Sequence, residues 1–230
     1  HQRHEDLVPA PDLRAVEEIF NASRTAMEAE DWDLAISTLL SLRQKDPAYR
    51  AVDVDSMLYV AFRYRGVDKI LSRGELEGGM LDLSQAELFG PLDKDAQSYA
   101  NFAELFIIGT SFWEVDWAQA AYYFGQVAPY LPNLHNGDNW YASQRYIEAL
   151  QHYIDQLVET ENYCDAQAQM DALRAFNDDP LFEPTQVWLF DKCEGRHNND
   201  DNGDNNENGG SSEQTPSPEN TPAPEVTPSP

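Results

Sequence analysis

One spacing, met four times, constrains this chain more than any other feature. In "WDLAISTLLSLRQKDP" Trp32 is followed by Ala35, Leu39 and Pro47, and in "WAQAAYYFGQVAPYLP" Trp117 is followed by Ala120, Phe124 and Pro132. Leu76, Gly79, Leu83 and Pro91 keep the same offsets. Tyr163, Ala166 and Met170 keep them as far as a proline, Pro180, that comes two positions late. A large residue, a small one at +3 and a large one at +7 share one face of an α-helix. The small residues 35, 79, 120 and 166 lie 44, 41 and 46 residues apart. A period of this size marks a supersecondary unit that cannot bury its apolar face alone and must stack on its neighbours. In such a unit the small residue admits a neighbouring helix closely, and the proline ends the helix. In residues 115–132, Trp117, Tyr122 and Tyr123 exceed what the spacing requires and mark that stretch for a partner.

Residues 14–29, 33–45, 54–72, 76–89, 99–114, 117–130, 140–160, 164–176 and 184–193 read as helices by their i, i+3, i+4 pattern. No alternating strand and no Asn-Gly hairpin interrupts them, so the expected class is all-α. The composition changes at about residue 195. Beyond it there is no aromatic side chain, and an Asn/Asp/Gly-rich stretch passes into "TPSPENTPAPEVTPSP". Thr/Ser-Pro repetition favours the extended polyproline II helix and is similar to exported stalks and wall-spanning linkers. The expected organisation is an extended segment 1–12, a helical domain 13–194, and an acidic linker with a Thr/Ser/Pro-rich tail over 195–230.

A formal charge of −26, from 41 acidic and 15 basic residues, argues against nucleic acid, which needs clustered Lys and Arg. It also disfavours anionic membrane surfaces. No run of apolar residues is long enough to span a bilayer. The chain begins at His1 rather than Met, which gives the expectation of a processed or trimmed N-terminus.

The fourfold pattern resembles the second helix of the tetratricopeptide repeat. Ala35, Gly79, Ala120 and Ala166 stand at the family's small position, and Pro47, Pro91 and Pro132 at its terminating proline. "EDWDLA", "VDWAQA" and "ENYCDA" resemble its turn between helices. The family's small first-helix position falls on Ser23, then on the larger Val67 and Ile108, and the units exceed the family's usual length. The resemblance implies a right-handed α-solenoid of about four hairpins. The Trp/Tyr turns, the late cysteines and the Thr-Pro tail look most like exported bacterial cell-envelope modules.

The resemblance also implies that first helices line a concave groove. The family's groove positions fall on Glu17, Phe20, Arg24, Tyr64, Asp68, Phe102, Phe112, Gln151 and Asp155, a mixed aromatic and acidic surface. It lacks the Lys/Asn clamp that some relatives use for a peptide carboxylate, so a basic or apolar segment, or a sugar stacked on the rings, suits it better. Helix 184–193 is expected to cap the open end, with Val187, Trp188 and Phe190 covering the last hairpin and a Cys164–Cys193 disulfide pinning it. The alternative is two separate thiols.

No G-x-S-x-G, P-loop, H-E-x-x-H or Gly-rich dinucleotide loop is present. Asp200, Asn202 and Gly203 are similar to a calcium loop, but Gly209 stands where its bidentate Glu belongs. No catalytic residue, metal or cofactor is expected. The expected function is that of a non-catalytic scaffold, exported to the cell surface or envelope, which binds another protein or its own copies, head to tail as a fibre through the solenoid ends and the tail. The alternative is carbohydrate binding, motivated by five Trp, eleven Tyr and ten Phe.

Overall fold

The computed structural model describes the backbone of residues 14–200 and the side chains of residues 14–195. The expected N-terminal segment, the Asn202 to Gly209 stretch and the Thr/Ser/Pro-rich tail lie outside the described residues. Among the described residues the protein is all-helical, with no strand. Nine α-helices follow one another: α1 (Arg14–Glu28), α2 (Trp32–Lys45), α3 (Ala51–Asp68), α4 (Leu76–Glu87), α5 (Lys94–Ser111), α6 (Trp117–Val127), α7 (Ala142–Glu159), α8 (Tyr163–Phe176) and α9 (Glu183–Asp200). A π-helical turn, Lys69–Arg73, extends α3, and a 3-10 turn, Pro180–Phe182, precedes α9.

Each of the nine helices expected from periodicity is present. Their ends differ where a local polar contact overrides hydrophobic pattern. Helix α5 starts at Lys94 rather than 99 because the Asp93 side chain accepts from the backbone N–H groups of Asp95 and Ala96. Helix α9 continues to Asp200, past the expected end at 193. The π-turn was not legible. It closes on Gly74, which holds a φ of 68° that suits glycine, and Glu75 N–H bonds the Lys69 carbonyl. The prolines do not themselves end the helices. Helices α2, α4, α6 and α8 stop two to five residues before Pro47, Pro91, Pro132 and Pro180.

Packing follows chain order. Every helix makes its main contacts with the helices before and after it. The turns within the hairpins α1–α2, α3–α4, α5–α6 and α7–α8 repeat one geometry: a left-handed residue, Glu30, Gly74, Glu114 or Glu161, lies two or three positions before the second helix. Asp31 and Asp116 then cap α2 and α6 by accepting from Leu34 and Gln119 N–H.

The small residues lie at the contacts. Ala35, Gly79, Ala120 and Ala166 are all buried. In the first helices Ser23 is buried at its expected position, and the close approach at the other two is made by Gly66 and Gly109, each one position from the expected Val67 and Ile108. Gly66 and Gly79 meet where α3 crosses α4: a Cβ on Gly79 would stand 2.7 Å from the Gly66 carbonyl oxygen and 2.5 Å from Ile70 Cγ1. A Cβ on Gly109 would stand 3.2 Å from the Phe124 ring, the large residue of the repeat in α6. Leu39, Leu83, Phe124 and Met170, at the second large position, are buried beside these contacts.

The cap differs from expectation in the face it buries. Leu189 is fully buried, whereas Val187 and Phe190 are 56% and 49% exposed; Trp188, 41% exposed, does meet the last hairpin, edge-on against Tyr163 at 5.7 Å. Successive residues of a helix point about 100° apart, so the buried register of α9 leaves most of its apolar side chains outside. The Cys164–Cys193 disulfide is formed, with the Cα atoms 4.7 Å apart, and ties α9 to the start of α8. Closing a loop of this length contributes roughly 3 kcal/mol in the chain-entropy model.

Gly79→Ala is expected to destabilise the protein by about 1–2 kcal/mol despite alanine's higher helix propensity, because backbone and Ile70 must shift to admit the methyl group. Gly195→Ala, where a Cβ would meet nothing within 4 Å, serves as the control and leaves stability unchanged or slightly raised. Chemical denaturation of the two variants measures the difference.

Candidate functional site

Helices α1 and α3, the first helices of successive hairpins, are separated by α2, and the space between them forms two adjoining clefts. One, of about 480 Å³, is lined by Phe20, Arg24, Met27 and Glu28 of α1 and by Arg50, Asp53, Ser56 and Met57. The other, of about 470 Å³, shares Met27 and Glu28 and adds Glu30, Trp32, Tyr64, Val67, Asp68, Leu71 and Ser72. Four expected groove residues, Phe20, Arg24, Tyr64 and Asp68, are therefore brought together. Phe20 is 5% exposed and mainly fills the core, with the Arg50 guanidinium 4.8 Å above its ring. Glu17 is exposed on α1 but lines neither cleft.

The other expected positions lie apart. Phe102 stacks on Tyr130 and Phe112 on Tyr123, with centroids 5.5 and 5.6 Å apart. Gln151 and Asp155 line a separate cleft of about 350 Å³ with His152, Ile154, Met170, Phe182 and Thr185.

The wall at Tyr64 is held from several sides. Trp32, the leading aromatic of the first repeat, stacks on Tyr64 at 5.2 Å and 15°. Arg63 lies 4.8 Å from the same ring centroid and makes a two-pronged bond to Asp93, 2.8 Å from Nε and 3.0 Å from the second nitrogen. That bond raises the Arg63 pKa and, with the two α5 backbone N–H groups, holds the Asp93 carboxyl well below the usual carboxylate range. Neighbouring Arg65 donates to both oxygens of buried Asp82 at 2.7 Å and to Asp33 at 2.8 Å, and Lys69 pairs with Asp82 at 2.9 Å. This network joins α2, α3, the π-turn and α4. The bonds to Asp82 chiefly raise the Arg65 pKa, so its guanidinium stays charged in a half-buried setting. Removing one partner would leave a buried carboxylate underpaired, the costly way to break such a network.

Two further constellations carry no motif. Arg145, buried in α7, bonds Asp138 at 2.7 Å and lies 4.7 and 5.6 Å from the ring centroids of Trp113 and Trp140. It thereby fastens the long loop between α6 and α7. The second is a cleft of about 520 Å³ between α6, α7 and α8, lined by Ala118, Gln119, Ala121, Tyr122, Gly125, Tyr146, Tyr153 and Gln169, none of them charged. Its one sequence signal was the aromatic surplus at Tyr122.

Among the described residues, no group of three or more His, Cys, Asp and Glu could hold a metal ion. No helix there is long and apolar enough to cross a membrane. No family model matches the chain, and neither a curated protein nor a solved structure matches it.

Because folding depresses the Asp93 pKa, its contribution to stability is present above the unfolded value, about 4, and is lost as pH falls below it. Asp93→Asn retains a cap acceptor but removes the titrating charge. Melting followed by circular dichroism is expected to show a shallower loss of midpoint temperature below about pH 4 in the variant than in the parent.

Proposed function

We propose that this chain is a right-handed α-solenoid of tetratricopeptide type that acts as a non-catalytic scaffold, exported to the bacterial cell surface or envelope. It binds other proteins, its own copies among them, and assembles head to tail through the ends of its helix stack. The observation that carries this proposal is the state of the C-terminal end. Leu181, in the 3-10 turn before α9, is 81% exposed, and Val187 and Phe190 on α9 itself are 56% and 49% exposed, where no further hairpin follows among the described residues. A stack whose end stays apolar has a surface suited to another unit.

Other features agree. Chain-order packing, small residues at the helix crossings and the recurring left-handed turn suit a repeat of helical hairpins. The disulfide suits an oxidising compartment outside the cytosol. The paired clefts between α1 and α3 combine Trp32, Tyr64 and Met27 with Glu28, Glu30 and Asp68, a chemistry for basic or apolar segments of a protein partner.

Val187→Glu combined with Phe190→Glu alters two exposed side chains and leaves buried Leu189 in place. Light scattering across a concentration series is expected to show the parent's mass rising and the variant staying monomeric. A parent that is monomeric throughout would refute self-assembly.

The near-parallel Trp32–Tyr64 pair at a cleft beside carboxylates also favours a second reading, glycan binding by ring stacking. A glycan array is then expected to give binding that Tyr64→Ala abolishes, and an array blank for the parent rules it out.

A further inference from the structure

The uncharged cleft between α6, α7 and α8 has a chemistry unlike that of the clefts between α1 and α3. Tyr122, Tyr146 and Tyr153 supply three aromatic surfaces, and Gln119 and Gln169 line it as amides that donate no side-chain hydrogen bond within the described residues. The floor is built. Gly125 leaves room for the Tyr146 ring, since a Cβ there would stand 2.9 Å from it. Tyr146 in turn packs edge-on against Phe176, and burial raises its hydroxyl pKa. Tyr122 is 62% exposed, an aromatic surface that the core does not use.

Aromatic rings with interspersed amide donors suit one backbone form in particular. A polyproline II helix makes no internal hydrogen bond, so its carbonyls are free to accept, and its proline rings pack flat on aromatic side chains. The chain carries a sequence whose composition favours this form, "QTPSPENTPAP", residues 214–224, with four prolines and a single charge, Glu219. On a protein of net charge −26, a cleft without charged lining residues is a place where that segment meets little repulsion.

Length and origin also fit. The chain leaves the described structure at Asp200, at the end of α9, and α9 packs on α8, whose Gln169 lines the cleft. Thirteen residues, 201–213, separate that segment from Asp200, and a chain of that length spans at most about 45 Å. Helix axes lie about 8–10 Å apart, so the cleft is within about two helix spacings of α9. A tether this short places its end at an effective concentration on the order of 1 mM, which favours the chain's own cleft over a neighbour's.

We infer that residues 214–224 dock in the tyrosine-lined cleft between α6, α7 and α8 of the same molecule. This inference is independent of the apolar end on α9. A glutamate-specific protease applied to the full chain tests it, with cleavage after Glu207, Glu213 and Glu219 followed by mass spectrometry. Docking makes Glu219 several-fold slower to cleave than Glu207 and Glu213, equally so across a wide dilution series. Tyr122→Ala, at an exposed position, and separately Pro216→Ala with Pro218→Ala in the tail, are each expected to abolish that protection while leaving Glu207 cleavage unchanged. Equal cleavage at the three sites in the parent overturns the inference. So does protection that survives both variants, or protection lost on dilution, which would mean that a second copy's tail is the occupant.

Discussion

The close approach of one helix backbone to the next is the contact on which the rest of this protein depends. Where α3 crosses α4, Gly66 and Gly79 leave no space for a Cβ on either side. Ala35, Ala120 and Ala166 hold the corresponding position in the other hairpins. A larger residue there would separate the helices and open voids beside Leu39, Leu83, Phe124 and Met170, whose burial supplies much of the core.

Between hairpins, an aromatic contact is made by the residue that opens three of the four second helices. Trp32 stacks on Tyr64, Trp117 stacks on His152 with centroids 4.2 Å apart, and Tyr163 meets Trp188 edge-on at 5.7 Å. In each case the partner lies on the following helix. Leu76 opens α4 and is fully buried. The surplus at Trp117 thus joins one hairpin to the next. Tyr123 is used in the same manner, stacked on Phe112. Tyr122 is the member of that stretch left facing outward, and it lines a cleft.

Chain-order packing also explains why the surfaces are where they are. Each internal helix has two main neighbours, so the flanks between alternate helices stay open as clefts. Their chemistry is then set by the outward residues of few elements: acidic and aromatic between α1 and α3, neutral and tyrosine-rich between α6 and α8. The last helix meets only one neighbouring α-helix in the same manner. Its buried register is chosen by Leu189 and the Cys164–Cys193 bond, which leaves Val187 and Phe190 at the surface.

The sequence by itself determined the all-helical class, the number and order of the helices and the burial of the four small residues. Those properties follow from local periodicity and from residue size, which act within one or two turns of helix. What it could not determine was rotation. A shift of one residue turns a helix face by about 100°, and such shifts place the close contacts at Gly66 and Gly109 rather than at 67 and 108, and Leu189 rather than Val187 or Phe190 in the core. The tertiary structure also decided which groove positions share a cleft. Tyr64 joined Trp32 and Asp68, while Phe102 and Phe112 were taken by Tyr130 and Tyr123. The Arg65–Asp82–Lys69 network and the π-turn that presents Lys69 came from contacts across 13 to 17 residues of chain. Their energy depends on geometry between elements, and no local pattern records it.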